Sequence, residues 1–222
     1  DMNKRTRLWL VSTAIYALFF AWYTDFGGPL TDDEIGTLIG NMEARGGDPE
    51  TIAFIEQFAR NDTGRQFLMV NSIDYRENPP DTKGAEPGES AEELMNRYMA
   101  HMIPALLSRA SHPIYMGNVV YPSVDVVGIE GAEHWDMGAI FRYRSRRELL
   151  EIITNPEFAG EHHFKIAALE KTIAYPTETR FYTGDPRLLL GLLILAITAL
   201  LDSRLAYATL RKTRYSKATG SS

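Results

Sequence analysis

The chain has 222 residues, of which 45% are apolar and none is cysteine, and its formal net charge at neutral pH is −6. The absence of cysteine excludes disulfides, thiolate metal sites and cysteine nucleophiles. Basic residues concentrate at the two ends, so the central part of the chain is strongly acidic. An acidic body repels phosphate backbones, and nucleic-acid binding is therefore not expected.

The first element predicted along the chain is a transmembrane helix over residues 8–24. This stretch has 17 residues without a charge, and at about 1.5 Å per residue it just spans a hydrocarbon core of roughly 30 Å. A basic tail, residues 1–7 with Arg5 and Arg7, precedes it. A cleaved signal peptide is the alternative, but aromatic residues such as Trp22 stand where small residues would mark a cleavage site, and they favour a retained anchor.

A second transmembrane helix is predicted over residues 187–210. Its uncharged core has 14 residues, which is too short to cross a membrane alone, so the span must continue past Asp202 and Arg204. Arg204 can extend its side chain to the interface, whereas Asp202 needs a partner. If the two helices run antiparallel, the basic cluster of Lys4, Arg5 and Arg7 lies near Asp202, and we predict an ion pair between Asp202 and that cluster.

The distribution of basic residues also predicts an orientation. Basic flanks stay on the cytoplasmic side of a membrane, so the tails at residues 1–7 and 211–222 are both predicted to be cytoplasmic. The domain between the helices then lies outside the cytoplasm. In a bacterium this corresponds to a two-pass inner-membrane protein with a periplasmic domain.

A helical lead-in is predicted over residues 25–65, between the first membrane helix and the main domain. Thr31 and Glu34 have the spacing of a capping box, and apolar residues recur after them at helical intervals. A second helix opens with Asp48 as its cap and Pro49 in its first turn. We interpret both as core helices that pack on the main domain.

The main domain is predicted over residues 66–183, and its first elements are a strand and a helix. The strand reads QFLMVNSIDYRE, and its alternation puts Met69 and Asn71 on one face. A loop rich in proline, glycine and charge follows. Ser90 with Glu93 then caps a helix with a methionine-rich apolar stripe, which we interpret as core rather than as a binding surface.

Two strands, a second helix and a last strand complete the domain. The strands read PIYMGNVV and HWDMGAIFRY, and the latter is predicted to place Trp135 and Phe141 on one face. The helix begins at Ser145 and is interrupted at 155–157, and the last strand lies near TIAYPTETRFY. The order β-α-β-β-α-β is that of a ferredoxin-like α+β sandwich.

Three stretches of this domain resemble a known superfamily: MVNSIDYR at 69–76, GAIFRYRSRRELLEII at 138–153 and TNPEFAGEHHFKIAALEKT at 154–172. They are similar to the dimeric α/β-barrel superfamily, and within it to an uncharacterised family with an M-V-N first strand and an N-P-E-aromatic segment in the second helix. The resemblance covers about residues 66–180. It implies a ferredoxin-like fold and a homodimer of paired sheets, but no particular activity, because one fold hosts many functions.

The superfamily includes cofactor-free monooxygenases, lactone isomerases and haem-using enzymes, so the resemblance also implies a pocket between sheet and helices. Haem-degrading relatives use an asparagine on the first strand with a tryptophan and a histidine on the second helix. Asn71 and His162 fall at two of these positions, whereas Ile152 stands at the tryptophan position. Haem is left as an alternative, and no other cofactor is expected. We predict that the pocket is lined by Met69, Asn71, Trp135, Phe141 and His162.

No other chemical motif is found in the sequence. His162 and His163 are adjacent on a helix and point in different directions, so they do not form a chelating pair and no metal is expected. No Ser-His-acid signature and no phosphate-binding glycine loop is present. Asp74 and Asp136 lie on predicted strands, and we interpret them as exposed or salt-bridged acids rather than as general bases.

Two functions are compatible with these features. The first is an accessory or stabilising subunit of a larger membrane complex, because two membrane helices and an ion pair offer more contact surface than a simple tether needs. The alternative is an enzyme or binding protein, monooxygenase- or isomerase-like or haem-linked, for a small apolar or aromatic ligand. The pocket discriminates between them, since a ligand site keeps an open cavity with convergent polar groups and a scaffold fills it.

Overall fold

A computed structural model describes residues 2–155 and 161–219, with the side chains of 212–214 and 216–219 excepted. The chain forms two compact units, Asp25–Thr179 and the pair of terminal segments Asp1–Thr24 and Arg180–Ser222. Helices and strands are numbered in chain order as α1 Lys4–Tyr23, α2 Asp32–Glu43, α3 Pro49–Arg60, β1 Phe67–Tyr75, α4 Ala91–Ser108, β2 His112–Asn118, β3 Met137–Tyr143, α5 Arg146–Thr154, α6 His162–Ala168, β4 Leu169–Thr177 and α7 Pro186–Thr219.

The terminal unit consists of α1 and α7, which pack against each other. Ser12 of α1 accepts a hydrogen bond from Thr198 of α7 at 2.7 Å, and the Tyr16 hydroxyl donates to the Arg187 carbonyl at 3.1 Å. Residues late in α1 therefore face residues early in α7, so the two helices are antiparallel.

Among the described helices, α7 over Pro186–Arg211 is long and apolar enough to cross a membrane. A single helix of this kind does not by itself establish a membrane protein. The other predicted span, α1, has the length but does not meet the same criterion. Its sequence KRTRLWLVSTAIYALFFAWY begins with three basic residues and mixes serine, threonine, tyrosine and tryptophan with its aliphatic residues, which lowers its mean hydropathy.

The sheet of the second unit has the strand order β2-β3-β1-β4, and each neighbouring pair of strands is antiparallel. One helix, α4, joins β1 to β2, and α5 and α6 stand between β3 and β4. This is the β-α-β-β-α-β arrangement of a ferredoxin-like fold, which confirms the predicted α+β class. The predicted break in the second helix begins at Asn155, which caps α5, while Pro156 and Glu157 lie outside the described residues.

One face of the sheet packs against the helices. Met69 pairs with Phe141 and Asn71 pairs with Ala139 across β1 and β3, and directly paired residues in antiparallel strands share a face. The buried core contains residues of the sheet and of α4, α5 and α6 in two adjoining clusters.

The lead-in helices belong to the same compact unit as the sheet. Leu30, Ile35 and Ala59 form a buried cluster with Leu150 of α5. The capping box at Thr31 is present, as is the one at the start of α4. The helices α2 and α3 therefore pack on α5.

Two strand boundaries differ from the prediction. The strand β3 begins at Met137 instead of near His134, and β4 begins at Leu169, directly after α6, instead of near Thr172. Trp135 therefore lies before β3, outside the alternation that was predicted to include it.

Candidate functional site

A cavity of about 210 Å³ lies between the sheet and the helices α4, α5 and α6. The strands β1, β2, β3 and β4 all contribute side chains to its lining. Most of the surface is apolar, and the polar groups are few. The polar or ionisable lining residues are Asn71, Tyr75, Tyr98, Tyr143, His162 and Lys165.

Methionines form much of the apolar wall. Six of the eight methionines of the chain line the cavity, namely Met69, Met95, Met99, Met102, Met116 and Met137. Their thioether chains are unbranched and flexible and make favourable contacts with aromatic rings. The methionine stripe of α4 was interpreted as core alone. Met95 and Met102 are indeed buried, but they also face the cavity.

Asn71 projects from the middle of β1 on the cavity side of the sheet. Its amide nitrogen donates to the carbonyl oxygens of Met69 at 3.0 Å and of Ala139 at 3.3 Å. Because both neighbours are acceptors, the nitrogen must face them. The other side-chain atom, Oδ1, is thus the group that can accept a hydrogen bond from elsewhere.

Three polar lining residues, Tyr98, His162 and Lys165, lie together in the cavity and form what we call its polar corner. The His162 ring meets the Tyr98 ring edge to face, with centroids 5.9 Å apart, and the Lys165 ammonium lies 5.8 Å from the centroid of the same ring. His162 and Lys165 are one helical turn apart on α6, which explains why both reach Tyr98. A cation near an aromatic face is attracted by the ring quadrupole.

Burial controls the ionisation of these groups. It lowers the pKa of Lys165 and raises the pKa of the Tyr98 phenol. The pKa of His162 is lowered first by burial and then by its electrostatic interactions with Lys165 and His163. Tyr143, which stacks on Phe67 with centroids 5.1 Å apart, has its pKa raised by burial. The phenols therefore stay neutral near pH 7.

Four of the five predicted pocket residues line this one cavity: Met69, Asn71, Phe141 and His162. Trp135 does not. Its indole nitrogen donates to the Ala132 carbonyl at 2.9 Å, and the Lys171 ammonium lies 4.9 Å from its ring centroid. Trp135 precedes β3, so strand alternation does not hold it on the cavity face.

The predicted membrane-edge charges lie in the terminal unit. The Arg5 guanidinium donates to both carboxylate oxygens of Asp202, at 2.5 and 2.7 Å. Arg7 and Arg204 form no ion pair with a residue in the described parts of the chain. The pairing of Asp202 thus involves a single arginine of the basic tail.

The described residues do not form a metal site or a haem set. In the ranges 2–155 and 161–219, no three histidine or acidic side chains converge as metal ligands would. Ile152, at the position of the haem-binding tryptophan, is 1% exposed and packs in the core, outside the cavity lining. The amide nitrogen of Asn71 is engaged by backbone. Of the three positions, Asn71 and His162 line the cavity and Ile152 does not.

No protein-family model and no curated protein matches the chain. Solved structures similar to it include a protein of unknown function from Rhodopseudomonas palustris, with 21% identity over 61% of this chain and 95% of that chain and a TM-score of 0.49. A dimeric ferredoxin-like protein of unknown function from Bacteroides fragilis has 13% identity over 51% of this chain and 96% of that chain, with a TM-score of 0.31.

A dimeric ferredoxin-like protein of unknown function from Jannaschia sp. has 13% identity over 51% of this chain and 99% of that chain, with a TM-score of 0.32. Similarities of this size give no activity to the chain. The assignment of the ferredoxin-like fold rests on the strand order and pairing described above.

Proposed function

We propose that this protein is a membrane-anchored domain that binds a small apolar or aromatic ligand in the cavity beneath its sheet. The observation that supports it best is the cavity itself. A domain that served only as a scaffold would have filled this space with side chains, whereas this one keeps an apolar chamber with Asn71, Tyr98, His162 and Lys165 on its walls.

The size of the cavity limits the ligand. An apolar cavity of roughly 150 Å³ accommodates benzene, and drug-sized ligands need about 300 Å³ or more. A chamber of about 210 Å³ therefore suits one ring with a small substituent. Flexible methionine side chains can adapt to the outline of such a molecule.

The membrane part of the proposal rests on the terminal helices. The apolar helix α7 would span the bilayer and α1 would accompany it, held by Arg5 with Asp202 and by Ser12 with Thr198. Basic residues at both ends of the chain favour cytoplasmic termini. The ferredoxin-like domain would then lie in the periplasm of a bacterium and take apolar ligands that partition into the membrane.

The ligand proposal can be tested with a neutral aromatic probe. Ligand-observed NMR on the full chain in mild detergent should detect toluene bound to the wild type. Ala174 of β4 lines the cavity, and we expect Ala174→Phe to occupy the space and abolish the signal. Ile173→Phe is the matched control, since Ile173 is the neighbouring residue and is not part of the cavity lining. Absence of toluene binding to the wild type, or equal toluene binding by the two variants, would contradict the proposal.

A second candidate function is that of an accessory subunit in a larger membrane complex, with the chain itself as a homodimer. The Arg5–Asp202 pair favours it, because a charge pair beside a membrane helix is more than a simple anchor needs. Affinity purification from native membranes in mild detergent, with mass spectrometry, tests it. Stoichiometric recovery of other membrane subunits would support it, whereas a lone dimer of this chain would leave only the ligand-binding function.

A further inference from the structure

Among the described residues, the charges that line the cavity have one sign, although the chain as a whole is acidic, with 29 acidic against 23 basic residues. Within the described parts of the chain, no aspartate or glutamate lines the cavity, and the only lysine or arginine that does so is Lys165. Since the lowered pKa of His162 keeps its ring neutral near pH 7, Lys165 carries the one formal charge among the described lining residues.

Lys165 differs from Lys171 in its surroundings. Lys171 pairs with Asp74 at 3.3 Å, whereas Lys165 forms no ion pair with a residue in the ranges 2–155 and 161–219. Its ammonium has the ring of Tyr98 beside it at 5.8 Å. A half-buried ammonium without a carboxylate loses hydration that a ring only partly replaces, and the lowered pKa of Lys165 reflects this loss.

An anion is the ligand chemistry that would compensate Lys165. An anionic group beside the ammonium restores the lost electrostatic stabilisation, and such a charge-assisted contact is stronger than one between neutral groups. A neutral ligand would displace water from the cavity and leave the ammonium still less hydrated. Tyr98, which lines the cavity and is neutral near pH 7, carries a hydroxyl that can serve as a second donor.

We propose that the cavity selects aromatic monoanions, a single ring that bears one carboxylate, with Lys165 as the counter-ion. This inference rests on the proposed ligand-binding function and specifies its ligand class. The ring would contact Phe141 and the methionine wall, where sulfur and aromatic groups attract each other. The carboxylate would lie at the corner of Tyr98 and Lys165, because Asn71 on the opposite wall offers an acceptor oxygen that repels it.

The test compares two probes of nearly equal size and shape, benzoate and benzamide, which differ in charge. Isothermal titration calorimetry on the full chain in mild detergent, at low salt and about pH 7, should show benzoate bound about tenfold or more tightly than benzamide. This wild-type comparison needs no variant, so it decides the proposal even if a substitution at Lys165 impairs folding.

Variants then assign the selectivity to Lys165. Lys165→Met should remove the preference for benzoate, so that the ratio of the benzoate and benzamide affinities falls to about one, whereas Lys165→Arg should keep the preference. Lys171→Met is the matched control, because it removes a cation that does not line the cavity, and the preference should persist. Circular dichroism verifies that each variant is folded.

The outcomes separate this inference from the proposed function. Equal affinity of the wild type for the two probes, or a preference for benzoate that survives in folded Lys165→Met, would overturn the anion assignment and leave the cavity as a site for neutral aromatics. Absence of binding for benzoate, benzamide and toluene together would overturn both the inference and the proposed function.

Discussion

At the scale of single residues, substitutions of Asn71 test whether its side-chain amide stabilises the sheet. Its nitrogen bridges the carbonyl oxygens of Met69 and Ala139. An aspartate carboxylate at this place would meet two acceptors without donating, so Asn71→Asp should raise the pKa of the new carboxyl above its ordinary value. The protonated acid can donate once, so stability is retained at low pH and is lost as the pH rises through that raised pKa.

We therefore expect the melting temperature of Asn71→Asp to fall, relative to wild type, between about pH 5 and about pH 8. Asn71→Ala should cost about 1 kcal/mol at either pH, because it removes the hydrogen bonds without introducing a charge. Thermal unfolding of both variants measures this. A pH-independent loss for Asn71→Asp would mean that the side chain does not face the two carbonyls.

The ionisation of His162 depends on its neighbour along α6. The positive charge of Lys165 contributes to the lowered pKa of His162, after burial. We expect Lys165→Met to raise the pKa of His162 towards its ordinary value of 6.5, because a nearby like charge disfavours the imidazolium. An NMR titration of the imidazole protons measures it. Lys171→Met should leave that pKa unchanged, and a shift of equal size there would contradict the local origin of the effect.

Much of the candidate site could be predicted from the residue alternation of β1 and β3, but its cation, Lys165, could not. Strand alternation put Met69, Asn71 and Phe141 on one face, and these residues line the cavity. Lys165 was missed because a lysine in an amphipathic helix usually belongs to the solvated side. The available signal was the spacing from His162, since residues three apart on a helix are neighbours on its surface.

At the scale of secondary structure, the capping box of α4 positions one wall of the cavity. Ser90 accepts from the Glu93 backbone nitrogen at 3.3 Å, and the Glu93 carboxylate accepts from the Ser90 nitrogen at 2.7 Å. Ser90→Ala should destabilise the domain by about 1 kcal/mol, since it leaves a helix donor unpaired. Thermal or urea unfolding measures the loss.

Ser108→Ala is the control for the cap of α4, because this serine lies at the other end of the same helix and donates to the Ala105 carbonyl. Water can replace the Ser108 hydroxyl as the donor to this carbonyl at the helix end. We therefore expect the free energy of unfolding to change by no more than about 0.5 kcal/mol. A loss at Ser108 as large as that at Ser90 would show that the effect comes from serine removal in general and not from the cap.

The order of the helices and strands could be predicted because helix caps and strand alternation are visible in the local sequence. Some strand boundaries, in contrast, depend on the partner strand. The helix α6 ends at Ala168 and the strand β4 begins at the next residue, Leu169. Neither residue is a glycine or a proline, so the sequence contains no break signal there. The strand begins where Leu169 meets Tyr75 across a register shift in β1. Such a start is set by the partner strand, which a local pattern cannot reveal.

At the scale of the whole molecule, the Arg5–Asp202 pair joins the first and last helices across 197 positions of sequence. The Asp202 side chain is 15% exposed and that of Arg5 is 49% exposed. A charge at the edge of a membrane helix is costly without its partner. Each single change, Arg5→Leu or Asp202→Leu, should therefore lower the thermal stability of the α1–α7 unit in mild detergent.

The double variant Arg5→Leu/Asp202→Leu should be more stable than the sum of the single effects predicts, with a coupling of about 0.5 kcal/mol or more, because neither charge is then left alone. Thermal unfolding of the full chain, followed by fluorescence of tryptophans in α1, measures the cycle. Arg204→Leu is the matched control, since Arg204 lies on the same helix as Asp202 and forms no ion pair with a described residue. If Asp202→Leu left the stability unchanged or improved it, the pair would not hold these helices together.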